Sequence, residues 1–261
     1  MISIKSEREI ELMKKAGSIV GATHNYLKQF VKPGITTKEL DKLAYDFIKS
    51  QDATPSFLNL YGFPGTICIS VNDEVVHGIP GKRKLKNGDI VKLDIGACYK
   101  GYHGDSAWTY PVGTISDDKK YLLEHTEKAL YECLSVIKEG VHLSDIGAAI
   151  EAYAKKHKLG VVKELVGHGI GDQVHMEPDV PNYGAPGQGP ILKAGMTIAV
   201  EPMLNLGTPN IYMLDDEWTI ITADGKPSAH YEHTILVEKD GYTILTKRWF
   251  YGKGWRNWSR R

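Results

Sequence analysis

Apolar residues recur at three- and four-residue spacing in four segments of the chain, which is the period of an amphipathic helix. Ser6 and Thr36 are each followed three residues later by glutamate, a capping box that begins a helix. The proline and glycine of Lys32–Gly34 end the first of these helices. Two more helices are predicted at Asp117–Glu139 and Leu143–His157.

Elsewhere the apolar positions alternate or run together, as they do in β-strands. Strands are predicted at Thr66–Val71 and Ile90–Ile95, and in five segments from Val161 onward that read VVKELV, MTIAVEP, DEWTII, YEHTILV and YTILT. The stretch PNYGAPGQGP predicts an irregular loop among them, and no segment has the composition of an interdomain linker. The order of elements therefore predicts one α+β domain over residues 1–261, arranged as two similar halves, although no residue-level repeat is visible.

The segment VKLDIGACYKGYHGD predicts a tight hairpin that carries two aspartates on one face. With its lysine-glycine pair as a two-residue turn, Asp105 lies opposite Gly96 and Asp94 lies one diagonal step away. Diagonal neighbours are roughly 7–8 Å apart at Cα, and the missing side chain of Gly96 is expected to leave open space. Two carboxylates aimed at one space repel each other unless a cation separates them or solvent surrounds them. Taken alone, this segment favours a solvated face.

Composition excludes several classes of protein. The chain has 32 basic and 32 acidic residues, so its overall charge indicates no preference for nucleic acid or membrane. Cys68, Cys98 and Cys133 are too few and too scattered for a disulfide framework or a thiolate zinc site. The start of the chain lacks an apolar signal segment, and no run approaches the ~20 apolar residues of a membrane span. A cytoplasmic protein without membrane segments is expected.

Several further polar residues stand at predicted strand ends and in loops: His77, His168, His175, Glu201 and Glu232. A histidine between glycines is usually a loop residue, and a glutamate before proline is usually a solvated strand edge. Glu232 is harder to explain in this way, because glutamate is depleted in the middle of strands. On spacing alone, His230 and His233 are alternative ligands for a metal bound in this region.

Five residues would together need positive charge nearby if the fold brought their side chains together: Asp94, Asp105, His168, Glu201 and Glu232. Four carboxylates cannot be buried together without compensation. Two divalent cations balance four negative charges and hold a bridging water that is acidified toward neutrality. Oxygen-rich ligation with one imidazole suits manganese, iron(II), cobalt or zinc. Spacing alone does not bring the five residues together.

Five blocks of the sequence resemble type I methionine aminopeptidases in the order and spacing of that family: VNDEVVHGIP, LDIGACYKGYHGDSAWTY, VGHGIGDQVHMEP, TIAVEPML and SAHYEHTILV. The helical first third matches the family in length and order, so the resemblance spans nearly the whole chain. It implies the pita-bread fold, in which two pseudo-symmetric halves form a curved antiparallel sheet covered by helices. It also implies a dinuclear metal site in the middle of that sheet.

The resemblance implies that five residues hold two divalent metal ions, cobalt, manganese, iron(II) or zinc: Asp94, Asp105, His168, Glu201 and Glu232. Asp105 and Glu232 are expected to bridge the two ions, whereas His168 and Glu201 join one of them. His230 is left out of the ligand set, because the family usually has glutamine or another residue there. His233 is left out because it points to the opposite face of its strand.

The resemblance also implies the activity, which is excision of the N-terminal methionine from nascent proteins whose second residue is small. The free amino terminus of a methionyl peptide binds at one metal, and a metal-bridging hydroxide attacks the methionyl carbonyl. His175 stabilises the oxyanion that develops. Glu201 passes the water proton to the leaving nitrogen, near which His77 forms a hydrogen bond.

Six residues are implied to line an unbranched apolar pocket for the methionine side chain: Phe57, Leu60, Phe63, Cys68, Val174 and Trp218. Soft contacts between the substrate sulfur and aromatic rings suit such a pocket. Phe57 stands where a small residue is common in bacterial members, and Leu60 and Val174 stand where aromatic residues are common. A pocket of altered shape is therefore expected, with plain core packing as the alternative interpretation of the six.

The subtype expected from this resemblance is the short bacterial form, acting as a monomer. Only 25 residues lie between His175 and Glu201, too few for the helical insert of type II enzymes. The expected specificity spares methionine before a bulky residue, so Met1 should be retained before Ile2. The tail Lys247–Arg261 interleaves basic and aromatic residues, as single-strand nucleic-acid binders do. A contact with the ribosome is one interpretation, and a solubilising tail that packs a tryptophan on the body is the favoured one.

Two other functions stay open at this point. An aminopeptidase specific for X-Pro bonds shares the pita-bread fold, but such chains usually carry a large N-terminal domain that is not found here. A non-catalytic relative that binds RNA or ribosomes is the second alternative. Such relatives generally lose metal ligands, whereas all five expected positions are filled in this sequence.

Overall fold

The structure, a computed structural model, describes residues 2–248 of the chain. The prediction that Met1 is retained, and most of the predicted tail, fall on residue 1 and residues 249–261, which lie outside this range. Four α-helices are present in the described part: α1 (Glu7–Lys28), α2 (Thr37–Ser50), α3 (Asp117–Leu134) and α4 (Ser144–Lys156). Both predicted capping boxes form, at the starts of α1 and α2. α3 ends five residues earlier than predicted, and the chain then turns through Gly140, which has a φ of 86°.

The strands of the described residues are mostly short, and they are numbered in chain order: β1 (Thr54–Pro55), β2 (Cys68–Val71), β3 (Glu74–Val76), β4 (Ile90–Tyr99), β5 (Tyr102–Pro111), β6 (Gly160–Val161), β7 (Gly167–Gly169), β8 (Met176–Val180), β9 (Thr197–Val200), β10 (Met203–Asn205), β11 (Ile211–Met213), β12 (Ile220–Thr222), β13 (Ser228–His230), β14 (His233–Glu238) and β15 (Gly241–Ile244). β4 pairs with β1, β2 and β5, and a second large sheet has the order β15-β14-β9-β7-β8. Two three-stranded sheets have the orders β13-β10-β6 and β11-β12-β3. Helices α1 and α2 precede the first group of strands, and α3 and α4 precede the second, which is the order of two halves that the sequence predicted.

The β4–β5 hairpin has the predicted register. Asp105 pairs with Gly96, and Asp94 pairs with Ala107, so the two aspartates lie one diagonal step apart on one face. The expected open space opposite Asp105 is wrong. A Cβ atom on Gly96 would lie 2.7 Å from the ring of Phe57, so glycine is required there because an aromatic side chain packs directly on the strand.

Two expectations about the second half of the chain are also wrong. The segment VVKELV is not a strand, because only Val161 belongs to a ladder, whereas Lys163 and Glu164 turn out to solvent. Glu232 does not stand in the middle of a strand, since β13 ends before it and β14 begins after it. Its backbone N–H instead donates to the carbonyl of Ala107 in β5, at 2.9 Å. The mid-strand argument for its importance therefore does not apply.

A glycine contact fixes α1 against the hairpin. A Cβ atom on Gly104 would lie 2.7 Å from the backbone nitrogen of Gly17, and one on Gly17 would lie 2.5 Å from the carbonyl oxygen of Leu245. Such distances are too short for any side chain, so the helix backbone touches β5 next to Asp105. One hydrophobic cluster runs from Ile19 in α1 to Val237 in β14 and joins the two halves. Within residues 2–248, no helix is both long and apolar enough to cross a membrane.

Candidate metal centre and substrate pocket

The five predicted metal ligands lie together in three-dimensional space. All of them line one cavity of about 380 Å³: Asp94, Asp105, His168, Glu201 and Glu232. Ligand atoms of Asp105, His168 and Glu232 lie within 4.8 Å of one another. The Nε2 atom of His168 is 3.8 Å from Oδ2 of Asp105 and 3.7 Å from Oε1 of Glu201. These separations leave room for an ion between the side chains, and their role as ligands stays a prediction.

The two central strands bring Asp105 and Glu232 together through hydrogen bonds between β5 and β14. Thr234 accepts from the backbone N–H of Asp105 at 2.9 Å and donates to its carbonyl at 2.8 Å. The hydroxyl of Ser106 donates to the carbonyl of Glu232 at 2.6 Å. Both carboxylates are buried, with exposed fractions of 3% for Asp105 and 2% for Glu232. Their backbone positions are thus fixed on either side of the cavity.

His168 lies in β7 and Glu201 follows β9, two strands of the sheet that also contains β14. Nδ1 of His168 lies 2.9 Å from the carbonyl of Gly169, so a proton on Nδ1 donates to that carbonyl and leaves the lone pair of Nε2 facing the carboxylates. This arrangement is typical of metal-ligating histidines. Glu201 follows the last residue of β9, and its carbonyl accepts a hydrogen bond of 3.1 Å from the side chain of Asn182. Both side chains therefore point into the cavity from fixed backbone positions.

The cavity has the chemistry of a divalent cation site. Three buried carboxylate oxygens have no hydrogen-bond partner among the described residues: Asp94 Oδ1, Asp105 Oδ1 and Glu232 Oε1. Burial, with the charge of Glu201, raises the pKa of Asp94 to about 6, and burial raises the pKa of Glu201 to about 8. Burial and the neighbouring carboxylates hold the pKa values of Asp105 and Glu232 well above their usual range. Unsatisfied carboxylates beside an imidazole lone pair fit manganese, iron(II), cobalt or zinc.

The raised pKa values predict that the metal-free protein loses stability as the pH rises. A carboxyl group that binds its proton more tightly when folded stabilises the protein at low pH, and that contribution is lost as the pH passes its folded pKa, about 8 for Glu201. Glu201 alone should cost about 1 kcal/mol between pH 7 and about pH 8.5, or roughly 2–4 °C in Tm. The histidines with lowered pKa values act in the opposite direction, but only below about pH 6.5. Burial lowers the pKa of Lys92 to about 7, so Lys92 adds stability as the pH rises over the same range and acts against the carboxylates. Thermal melts of chelated wild type and Glu201→Gln at the two pH values isolate the Glu201 contribution: the wild type should lose about 1 kcal/mol more than the variant, and equal losses would contradict the prediction.

The predicted methionine pocket is a distinct apolar cluster next to the carboxylates. Its buried members are Phe57, Phe63, Cys68 and Val174, and Leu60, Ile79 and Trp218 pack against them. The rings of Phe63 and Trp218 meet edge to face, with centroids 5.1 Å apart. All six predicted residues thus belong to this cluster, and all except Val174 line the cavity. The apolar end of the cavity is closed by buried rings.

The two predicted catalytic histidines stand at different depths of the cavity. His77 has a φ of 58°, in the left-handed region that few residues other than glycine adopt, and burial lowers its pKa to about 4. Such backbone strain is often found at functional sites. His175 is exposed at the mouth, where it stacks on the ring of Tyr61 at 5.8 Å and meets the ring of His168 edge-on at 4.5 Å. His77 therefore lies further inside the cavity, and His175 lies at its entrance.

Several residues that line the cavity were not predicted: Tyr61, Val76, Leu165, Val166, Gly167, Asp179, Met203 and His230. The pairing of Asp179 with His168 in the β7–β8 ladder could not be read from the sequence, because β8 was not predicted. His230, which the family resemblance leaves out of the ligand set, faces the cavity with Nε2 3.5 Å from Oε2 of Glu201. His233 does not line the cavity, and its Nδ1 lies 2.9 Å from the hydroxyl of Thr246.

Known proteins match this chain in sequence and fold over nearly its full length. The family model of metallopeptidase family M24 matches residues 11–239. Methionine aminopeptidase 1 of Bacillus subtilis (strain 168) is 55% identical over 247 residues, which cover 95% of this chain and 100% of that protein. Methionine aminopeptidase of Clostridium perfringens is 50% identical over 94% of this chain and 99% of its own length. The crystal structure of methionine aminopeptidase from Rickettsia prowazekii has a TM-score of 0.93 at 42% identity, covering 95% of this chain and 100% of that one. These matches confirm the predicted α+β pita-bread fold.

Proposed function

Because this chain belongs to metallopeptidase family M24 and is similar throughout to its methionine aminopeptidases, we propose that it removes the N-terminal methionine from peptides and nascent proteins. The observation that carries the proposal is one cavity with two unlike ends. The five candidate ligands lie at one end, and aromatic and apolar side chains line the other. Such a cavity suits the hydrolysis of a bond beside an apolar first residue.

We further propose that Asp94, Asp105, His168, Glu201 and Glu232 would together hold two divalent ions. Two ions match the four negative charges of the carboxylates, and a single ion would leave half of them uncompensated. When bound, the ions supply a water acidified toward neutrality and polarise the scissile carbonyl. The unsatisfied oxygens of Asp94, Asp105 and Glu232 support this assignment.

The protein's own residues then position the substrate and move its proton. Glu201 holds a carboxylate at the edge of the site and is proposed to take the water proton at one oxygen and deliver it to the leaving nitrogen. His175, at the mouth, is proposed to donate a hydrogen bond to the carbonyl oxygen as negative charge develops there. His77 is neutral because burial lowers its pKa to about 4, so it donates one N–H near the leaving nitrogen without adding charge.

The pocket is proposed to select an unbranched apolar side chain by its closed shape. Phe63, Cys68 and Trp218 give an aromatic and sulfur-containing lining that suits a thioether. The free thiols of Cys68, Cys98 and Cys133 accord with a reducing compartment such as the cytoplasm.

Cleavage of Met-Ala-Ser should exceed cleavage of an Ala-Pro peptide by at least about 100-fold in kcat/KM, because only the first fills the apolar pocket. Release of the free first amino acid, measured for both peptides with the metal-loaded protein, decides the point. N-acetyl-Met-Ala-Ser is the matched control and should resist cleavage, since it lacks the free amino group. Preference for the Ala-Pro peptide would favour the X-Pro alternative, and failure to cleave either peptide would favour a non-catalytic binding protein.

A further inference from the structure

His230 is a buried histidine without a hydrogen-bond partner in the described part of the chain. Its side chain lines the cavity and is 1% exposed, yet neither Nδ1 nor Nε2 forms a hydrogen bond with any described residue. An unsatisfied buried polar group costs free energy, so a native protein usually keeps one for a purpose. The roles proposed so far for the cavity do not use this side chain.

The backbone of His230 is fixed from two sides. Its N–H donates to the hydroxyl of Thr109 at 3.0 Å, and that hydroxyl donates to the His230 carbonyl at 2.8 Å. The residue also pairs with Met203 in the β10–β13 ladder, two positions after Glu201. The backbone of His230 is therefore held in place beside the cavity.

The carboxylate of Glu201 lies between two imidazole rings. Its Oε1 atom is 3.7 Å from Nε2 of His168, and its Oε2 atom is 3.5 Å from Nε2 of His230. The two rings differ in the hydrogen-bond partner of Nδ1. Nδ1 of His168 lies at hydrogen-bond distance from a backbone carbonyl, whereas Nδ1 of His230 has no acceptor in the described structure.

This difference determines where each ring carries its proton. His168 keeps a lone pair on Nε2, as a metal ligand requires. Nothing holds a proton on Nδ1 of His230, whereas a carboxylate oxygen faces its Nε2, so the neutral ring is expected to carry its proton on Nε2. A protonated Nε2 donates hydrogen bonds and cannot bind a metal.

We propose that His230 is a positioning residue that donates a hydrogen bond from Nε2 to Oε2 of Glu201 and leaves Oε1 free for the metal. The present 3.5 Å separation shortens to an ordinary N–H···O distance of about 2.9 Å with a small movement of the carboxylate. Hydrogen bonds of this kind are often long in the unliganded site and shorten when the ligands are bound. The inference rests on the proposed function, because it assigns His230 to the same metal site.

Two substitutions separate this role from general packing. His230→Gln keeps an N–H donor that reaches toward Glu201, whereas His230→Leu fills similar space with no polar atom. Loss of a partner behind a ligand typically weakens metal binding 10–100-fold. Calorimetric titration with cobalt(II) should therefore show a 10–100-fold higher Kd for at least one ion in His230→Leu, and a change below about threefold in His230→Gln.

Two further measurements distinguish a positioning role of His230 from a purely structural one. The Tm of metal-free His230→Leu should be equal to or above that of the wild type, because an unsatisfied buried group has been removed. With Met-Ala-Ser, His230→Leu should lower kcat and leave KM within about twofold, since His230 does not touch the apolar pocket. His230→Met serves as a second apolar variant if the leucine variant does not fold, because a flexible side chain fits irregular space.

Each other outcome overturns the proposal. Unchanged cobalt affinity in the apolar variants would mean that Glu201 needs no such partner. Equal losses in His230→Gln and His230→Leu, with an altered visible spectrum of the bound cobalt(II), would identify His230 as a ligand instead. The cobalt readouts decide this even if the wild-type protein fails to cleave Met-Ala-Ser, so failure of the proposed function is recognised separately.

Discussion

Asp105→Ala should abolish methionine release and weaken metal binding in the same variant. Ligand atoms of Asp105, His168 and Glu232 form one cluster, so removing Asp105 takes a carboxylate away from the proposed metal site. Loss of even an outer partner of a ligand typically costs 10–100-fold, so loss of the ligand itself should lower kcat/KM by more than about 100-fold. Hydrolysis of Met-Ala-Ser and cobalt titration of the same preparation measure the two effects.

The stability of this variant should change in the opposite direction. Asp105 is a buried acid with an unsatisfied oxygen, so the metal-free Asp105→Ala protein should melt at or above the wild-type temperature. Asp117→Ala is the matched control, because Asp117 is an exposed aspartate at the start of α3 and should leave activity and metal binding unchanged. Unchanged turnover in Asp105→Ala would place the reaction at a different site.

Removal of metal should reduce cleavage of Met-Ala-Ser to background, and re-addition of single ions should restore it. Cobalt(II), manganese(II), iron(II) and zinc(II) suit four carboxylates with one imidazole. Magnesium and calcium, which prefer all-oxygen sites, should restore little activity. Restored activity should rise with the metal content of the dialysed protein, and calorimetry should count two ions per chain.

Metal binding should also raise the Tm of the protein in the same experiment. An ion present at 100 times its Kd stabilises the folded state by about 2.7 kcal/mol. For a chain of this size that is roughly 5–10 °C in Tm. Binding should also remove the loss of stability between pH 7 and about pH 8.5, since it fixes the carboxylates in their ionised form. Full activity after exhaustive chelation, with no shift in Tm, would exclude metal catalysis at this cavity.

Local pattern was enough to predict the hairpin that carries two of the candidate ligands. Alternating apolar residues and a lysine-glycine turn determine which residues face each other, so the relation of Asp94 to Asp105 follows from period and turn type. The helix starts were predicted for a similar reason, because capping boxes act within four residues. Elements whose geometry depends only on near neighbours in sequence can be predicted from the sequence itself.

The assembly of the site depends on contacts between distant segments, which no local pattern contains. Glu232 reaches the cavity through a break between two strands, and that break is held by β5, more than 100 residues away in sequence. For the same reason, the sequence alone does not predict that Phe57 occupies the space opposite Asp105. Nor does it predict that His230 faces Glu201. Spacing does not predict that the five candidate ligands come together. The resemblance of five sequence blocks to a known family does predict it.

The closed apolar end of the cavity, with His175 and Tyr61 at its open end, determines when the protein can act on a substrate. We expect only the leading residue of a polypeptide to enter the apolar end, with the residues behind it extended through the opening. A terminus already folded into a helix or strand cannot enter. Processing is therefore in competition with the folding of each client, and a chain that buries its first residues quickly keeps them unprocessed.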